Sequence, residues 1–296
     1  MKIENFQDFV SSLQVKLPEF EKFINIGDMT ALFHDKPNKR FIQLNYERGL
    51  LLYALISKFK PKNVLEIGTA SGYGTLCMAW AMTDNKIDGK IFTVDPIPIT
   101  ENTERVLDDH TEKGPRVEQI SVKEIWTKIA KQDWIKKIIP LCGYSGEIMK
   151  EYDFPKLDFA YVDGAHFFDA VKHDFYSIIS QVNNEFGILF DDYVNRPYYG
   201  IKKLIDEEVS KNFDASLIKT DTQDHLAEMF SLTDPVHGMC WIHSSSLKKP
   251  LNEIYPKSER DEFIVKYLKF ENRLKKRNLI NKRFPFMRNI RFQFWK

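Results

Sequence analysis

The stretch Val64-Leu65-Glu66-Ile67-Gly68-Thr69-Ala70-Ser71-Gly72-Tyr73-Gly74 decides the fold: an apolar strand ends in an acid and turns through closely spaced glycines into a helix. Glycines at such a turn let the backbone approach a ligand closely. The helix starting near Gly74 points its free N–H groups at the same place. Together these features mark a nucleotide-type ligand site. The spacing is Gly-x-x-x-Gly-x-Gly, not the Gly-x-Gly-x-x-Gly of the dinucleotide fingerprint, and Glu66 stands in the strand just before the first glycine. A ligand without a pyrophosphate fits that spacing better.

Outward from this turn, apolar runs of strand length alternate with segments of helical period, as in a parallel sheet covered on both faces. Strands are expected at Asn63–Ile67, Lys90–Val94, Lys137–Leu141, Leu157–Val162 and Gly187–Phe190, with two more at Ala215–Thr220 and Gly238–Ser244. Helices are expected at Tyr46–Phe59, Gly74–Met82, Thr100–Lys113, Val122–Trp134, Phe168–Gln181 and Tyr199–Ser210. The expected fold class is therefore α/β, a doubly wound, mostly parallel seven-stranded sheet. Pro140 removes a ladder donor from the third strand and assigns it to a sheet edge, which is its place in the order 3-2-1-4-5. The expected division is an N-terminal helical segment over 1–45, the α/β domain over 46–250, and a C-terminal extension over 251–296. Pro235 and Pro250 sit at turns.

Lysine plus arginine (43) nearly cancels aspartate plus glutamate (42), so the whole molecule is no general polyanion binder. The charge is uneven, and from Lys257 to Lys296 the chain is strongly cationic. Cys77, Cys142 and Cys240 are odd in number and far apart, which fits free thiols in a reducing compartment rather than a disulfide framework. The N-terminus lacks the apolar run of a secretory signal, and no stretch is long enough to span a bilayer. These features set the expectation of a cytoplasmic protein.

Open α/β sheets bind ligands in the crevice at the carboxyl ends of their strands. Acids gather there: Asp95 ends the second strand, Asp163 the fourth, and Asp191-Asp192 the fifth. The fourth and fifth strands are expected as neighbours roughly 5 Å apart, which would bring Asp163, Asp191 and Asp192 within reach of one cation. Carboxylates without a cysteine or histidine cluster favour Mg²⁺, Mn²⁺ or Ca²⁺ over zinc. Taken singly, each acid has a plainer reading as a helix cap or turn former. Three converging carboxylates would repel one another without a counter-ion, and that favours the metal reading. His34, His110, His173, His225, His237 and His243 show no metal-ligand spacing.

Glu66-Ile67-Gly68-Thr69-Ala70-Ser71-Gly72-Tyr73 resembles the first motif of the class I S-adenosylmethionine-dependent methyltransferases, in particular the metal-dependent O-methyltransferases of catechols and caffeoyl esters. The segments from Leu157 to His166 and from Ile188 to Tyr193 resemble the metal-binding segments of that group. The Asp163-Gly164-Ala165-His166 form and the Asp191-Asp192 pair are closer to the macrocin-type sugar O-methyltransferases, since the catechol enzymes usually end their ligand set in asparagine. The likeness covers the chain from Tyr46 to Ser244.

This resemblance implies S-adenosylmethionine and a divalent ion such as Mg²⁺ as cofactors. It implies cofactor-binding roles for Glu66, Gly68, Ala70, Ser71, Gly72, Tyr73 and Asp163, with Asp95 on the ribose hydroxyls and Gly143 and Ser145 bordering the adenine. It makes Asp163, Asp191 and Asp192 the metal ligands. His166 falls where the catechol enzymes place a lysine base. Some sugar enzymes of this type carry a histidine shortly after the Asp pair, where this chain has Val194 and Asn195.

The chemistry explains these parts. Methyl transfer from a sulfonium is an in-line displacement, and a sugar or phenol hydroxyl must first be activated. A divalent ion chelating two acceptor oxygens lowers the pKa of one and fixes its line of attack. His166, with a reference pKa of about 6.5, can take the proton. Its plainer reading is a structural histidine among Ala165, Phe167 and Phe168. The expected acceptor is a hydroxylated small molecule: a sugar, a glycan precursor or a phenol. Tyr193, Arg196, Tyr198 and Tyr199 are candidates to line its pocket.

The helical segment from Ser258 to Arg277 and the aromatics Phe284, Phe286, Phe292, Phe294 and Trp295 have a plainer reading as an extension packed on the domain or on a second subunit. Their sharper reading is an anionic partner such as a membrane surface, a phosphorylated glycan or nucleic acid. Two other functions stay open from the sequence. One is a nucleic-acid-binding methyltransferase or binding module guided by that tail. The other is a dehydrogenase on a related nucleotide fold, against which the glycine spacing counts.

Overall fold

The computed structural model describes residues 1–36, 38–196, 198–220 and 238–283, with side chains as far as residue 276. The expected turn at Pro235, the histidines His225 and His237, and the aromatics from Phe284 to Trp295 lie outside the described residues.

Strand β1 (Lys2–Asn5) leads into α1 (Phe6–Ser12), whose first turn is capped by the Asn5 side chain accepting from Gln7 N. Then come α2 (Phe20–Thr30), the hairpin β2 (Leu32–Asp35) and β3 (Arg40–Gln43), α3 (Glu47–Phe59), β4 (Asn63–Ile67), α4 (Tyr73–Asp84) and β5 (Lys90–Asp95). A second hairpin, β6 (Thr103–Leu107) and β7 (Arg116–Ile120), precedes α5 (Val122–Ile129), α6 (Gln132–Ile135), β8 (Ile138–Cys142), α7 (Ser145–Glu151), β9 (Leu157–Val162), α8 (Phe168–Ile179) and β10 (Val182–Tyr193). Next, α9 (Ile201–Leu204) runs through a π turn (Ile205–Val209) into α10 (Ser210–Asn212). Last come β11 (Ser216–Lys219), β12 (Gly238–His243), α11 (Leu251–Ile254) and the long α12 (Lys257–Arg283).

One eight-stranded sheet runs in the order β1-β11-β12-β10-β9-β4-β5-β8. The expected order 3-2-1-4-5 is present as β8-β5-β4-β9-β10, all parallel, and β12 runs antiparallel to both β10 and β11. β8 is the edge, with Pro140 opposite Thr93, so the missing donor costs no ladder bond on a second side. Side chains alternate between two cores, one on each face: Val64, Phe159 and Leu189 on one, Leu65, Ala160 and Ile188 on the other. α2, α3, α4 and α5 cover the first face; α7, α8, α9 and α11 cover the second.

Three sequence expectations are corrected. The eighth strand is β1, which pairs in parallel with β11, and the segment 1–45 contains three strands besides its helices. Where a helix is predicted over Thr100–Lys113, the chain forms the β6–β7 hairpin. It is anchored by buried Leu107 and Ile120, and Arg116 holds Asp109 through two bonds of 2.8 Å across the turn. The helix predicted over Val122–Trp134 is two, because Ala130 is extended between α5 and α6.

The described part of the basic extension is docked on the second face. Tyr267 stacks on buried His173 at 4.4 Å, Glu271 accepts from Gly146 N at 3.0 Å, and Lys275 pairs with Glu147. Those contacts fit the plainer reading of this segment. Cys77 and Cys240 are buried free thiols, and Cys142 is an exposed one. Among the described residues, no helix is long and apolar enough to cross a membrane.

Candidate active site

The glycine turn is held by sterics before any ligand is considered. Gly68 sits at φ +99°, and a Cβ there would lie 2.1 Å from the Asp163 carbonyl oxygen. The first glycine thus lets the end of β4 lie against the end of β9, where Asp163 N donates to Ile67 O at 2.9 Å. Gly72, at φ +91°, is the N-cap of α4, and a Cβ there would lie 2.3 Å from Trp126 Nε1. The Gly72→Ala variant combines a left-handed backbone with that clash. It is expected to lose at least about 1 kcal/mol of stability in chemical denaturation.

The cofactor-site candidates divide into two groups. Ala70 is exposed at the rim, and its N–H donates to Asp95 Oδ2 at 3.0 Å, while Asp95 Oδ1 accepts from Ile97 N at 2.8 Å. Gly143 N donates to Asp95 O at 3.0 Å, and Ser145 opens α7 just beyond. Ser71 lies on the same loop, its carbonyl accepting from Trp126 Nε1 and its hydroxyl from Arg105 Nη1, both at 3.0 Å. These residues share one lip at the carboxyl ends of β4, β5 and β8. Glu66 and Tyr73 face inward instead. The Tyr73 hydroxyl donates to Tyr46 O at 2.5 Å beneath α3, which places this side chain away from the lip.

Glu66 is 1% exposed and accepts from Thr75 and Thr93. Burial pushes its carboxyl up to about 7. A raised acid binds its proton more tightly folded than unfolded, so stability falls as pH rises from the ordinary carboxylate range towards about 7. Glu66→Gln should remove this fall, on the order of 3 kcal/mol, from a plot of unfolding free energy against pH. An unchanged slope would contradict the assignment.

Two of the three acids at the tips of β9 and β10, Asp163 and Asp191, meet on a cation that the chain itself supplies. Arg48, in the first turn of α3, places Nη1 3.3 Å from Asp163 Oδ2 and 3.1 Å from Asp191 Oδ2. The Tyr161 hydroxyl donates to the same two oxygens, at 3.1 Å and 2.6 Å. Asp191, only 1% exposed, uses its Oδ1 to accept from Asp192 N at 2.8 Å. Burial and the neighbouring Asp191 push the Asp163 carboxyl up, with Arg48 opposing. Among the described residues, no group of three or more His, Cys, Asp and Glu side chains is arranged to hold a metal ion. The expected ligand trio does not fit one here, because the guanidinium stands between two of its members.

Asp192 has turned away from the other two. A bulge in β10 puts it at φ +52°, and its Oδ2 lies 3.3 Å from His166 Nδ1. Nδ1 is shut off from solvent and not aligned for a hydrogen bond, although the side chain is 31% exposed. The ring stacks on Tyr199 at 4.6 Å and 4°, with the Arg196 guanidinium over the far ring at 5.0 Å. Gly200 N donates to His166 O at 2.6 Å, and a Cβ on Gly200 would collide with Phe168 Cα at 2.1 Å, so this loop is locked onto the start of α8. Burial lowers the His166 pKa, and Asp191 opposes the shift. Tyr198 is 94% exposed, and the Tyr193 hydroxyl is engaged by Asp206 and Lys202; neither lines this spot.

Sequence reasoning missed Arg48 and Tyr161. The spacing carried a signal for Tyr161, since it precedes Asp163 by two residues and so shares its side of β9. Arg48 is a lone cation ahead of the apolar run from Gly49 to Ile56 in a helix remote from the motifs. A cavity of about 1100 Å³ lies elsewhere, at the far ends of α3 and α4 between Tyr53, Asp84, Trp80 and Trp134.

Residues 65–193 match a family model described as a methyltransferase domain. No curated protein matches the chain by sequence. Among solved structures, the chain is similar to the O-methyltransferase TomG from Streptomyces achromogenes, involved in tomaymycin synthesis and in complex with SAM. The two are 15% identical with a TM-score of 0.50, covering 81% of this chain and 95% of that one. An O-methyltransferase from Bacillus cereus in complex with SAH is 15% identical with a TM-score of 0.48, covering 80% of this chain and 94% of that one. The sheet order and the glycine turn after β4 agree with these likenesses: the chain has the Rossmann-like methyltransferase fold, and its residues 65–193 are similar to a methyltransferase domain.

Proposed function

We propose that the chain is an S-adenosylmethionine-dependent O-methyltransferase whose acceptor is a hydroxylated small molecule, a sugar or glycan precursor in preference to a phenol. The observation that carries this reading is a half-buried histidine, flanked by Asp192 and backed by Tyr199, in the loop whose start at Asp163 and Gly164 lies against Gly68. The donor supplies an electrophilic methyl on a sulfonium. Asp95 takes the ribose hydroxyls, Ala70 and Gly68 border the sugar and methionine, and Gly143 with Ser145 borders the adenine. His166, kept neutral by burial, takes the acceptor hydroxyl proton on Nε2 as the new O–C bond forms and the S–C bond breaks with its electron pair going to sulfur. Asp192 then faces the imidazolium. A divalent ion chelating the acceptor oxygens, which the family resemblance implies, does not fit the Arg48-bridged carboxylates, and no step is derived through one.

The test is transfer of a labelled methyl from S-adenosylmethionine to a panel of sugars, glycan precursors and catechols, alongside calorimetric titration with S-adenosylhomocysteine and NAD. Binding of the homocysteine form alone and a methylated hydroxyl product are expected. NAD binding without S-adenosylhomocysteine binding would overturn the reading in favour of a dehydrogenase.

A further inference from the structure

We infer that Arg48 stands in for the divalent ion: its guanidinium ties Asp163 to Asp191, its Nη2 is offered to the acceptor oxygen, and methyl transfer proceeds without a metal. The inference rests on the methyltransferase reading above and deepens it.

Four observations carry it. Nη1 lies 3.3 Å and 3.1 Å from one oxygen of each acid, which is ion-pair geometry and fills the position a bridging cation would take. The same two oxygens also accept from Tyr161, and Asp191 Oδ1 accepts from Asp192 N, so three of the four oxygens of this carboxylate pair are already engaged. A hard divalent ion requires about six oxygens at roughly 2.0–2.6 Å, and it would have to displace all of these donors. Asp192, the third expected ligand, is committed to the His166 side by its left-handed backbone.

The fourth observation concerns the free end of Arg48. Its position is fixed by the two acids and by the Tyr73 ring, 5.6 Å from the guanidinium carbon. Among the described residues Nε is buried without a partner, while Nη2 makes no hydrogen bond and is not shut off from solvent. A planar guanidinium with one nitrogen on the acids and another free suits an oxygen that gains negative charge during proton loss. In that arrangement Arg48 orients and stabilises the acceptor oxygen while His166 takes its proton. A guanidinium supplies one positive charge, half that of a divalent ion, and no ion has to be dehydrated to supply it.

The test uses the full chain saturated with S-adenosylhomocysteine, titrated with MnCl₂ and followed by electron paramagnetic resonance. No bound Mn²⁺ is expected below about 1 mM, and treatment with EDTA should leave methyl transfer unchanged within about twofold. In Arg48→Ala, removal of the guanidinium should free the two acids, and Mn²⁺ binding should appear in the same titration. A micromolar Mn²⁺ site in the unaltered chain that is lost in Asp191→Asn would overturn the inference, even if Arg48→Ala did not fold. So would a loss of turnover of roughly tenfold or more on EDTA treatment that Mg²⁺ restores. Failure to bind S-adenosylhomocysteine at all would instead remove the underlying methyltransferase reading, so the two failures are distinct.

Discussion

His166→Ala is expected to lower kcat for methyl transfer by roughly 10²–10⁴-fold while leaving S-adenosylhomocysteine affinity near that of the unaltered chain. The separation of the two effects is what the geometry predicts. His166 belongs to the loop between β9 and α8, and Asp95, Ala70 and Gly143 form the lip on the other side of Gly68. The ring's contacts are with Tyr199 and Asp192, neither of which reaches that lip in the hydrogen-bond pattern. Burial keeps the imidazole neutral and so able to accept a proton near neutral pH. Tyr199→Phe keeps the stacked ring and should cost far less than the loss of the imidazole. Steady-state kinetics with the acceptor identified in the methyl-transfer screen, paired with calorimetry, reads both quantities. An unchanged kcat in His166→Ala would make the histidine structural.

Arg48→Met is expected to destabilise the fold by about 3–5 kcal/mol, because it keeps the length of the side chain but leaves a buried carboxylate without its counter-charge. Asp191 is 1% exposed and has Arg48 as its cationic partner, with Tyr161 and Asp192 N as neutral donors. Removing both charges should cost less than removing one. The double variant Arg48→Met/Asp191→Asn should therefore regain part of the loss, which a double-mutant cycle in urea would measure. A single variant as stable as the unaltered chain would show that the pair is solvated and that its charges do not depend on each other.

The fold was legible in the sequence where one local rule and one long-range rule agreed. Alternating strand and helix patterns gave the parallel strands, and Pro140 picked out the edge without reference to any motif. The hairpin after β5 was misread because the apolar positions of the segment from Thr103 to Leu107 suit either period. Its register is set by pairing to Arg116–Ile120, a contact outside any local window. The same limit applies to the site. Strand ends collect in one crevice, so the strand order led to the expectation that Asp163, Asp191 and Asp192 meet there; the first two do, and the bulge in β10 carries Asp192 to the His166 side. The counter-ion was not expected, since Arg48 reaches Asp163 and Asp191 across 115 and 143 residues of sequence from a helix with no motif of its own. The repulsion argument pointed to a metal among three acids, whereas an arginine bridges two of them. The identity of the cation was set by tertiary packing of α3 and not by the acids themselves.

Glu66 and Tyr73 carry a related lesson. Both lie in the segment that marks the site, yet one serves the interior of the sheet and the other the α3–α4 contact. A motif residue can thus spend its hydrogen bonds on the interior that holds the turn in shape.

The most direct test of the account is a crystal structure of the chain grown with S-adenosylhomocysteine and MnCl₂, with anomalous data collected at the manganese edge. The account predicts density for the nucleoside between Asp95 and the Gly68–Gly72 turn, with the sulfur directed towards His166 and Arg48 still bridging Asp163 and Asp191 without an anomalous peak. Nucleoside density elsewhere, or a manganese peak between the two carboxylates with Arg48 swung away, would contradict it.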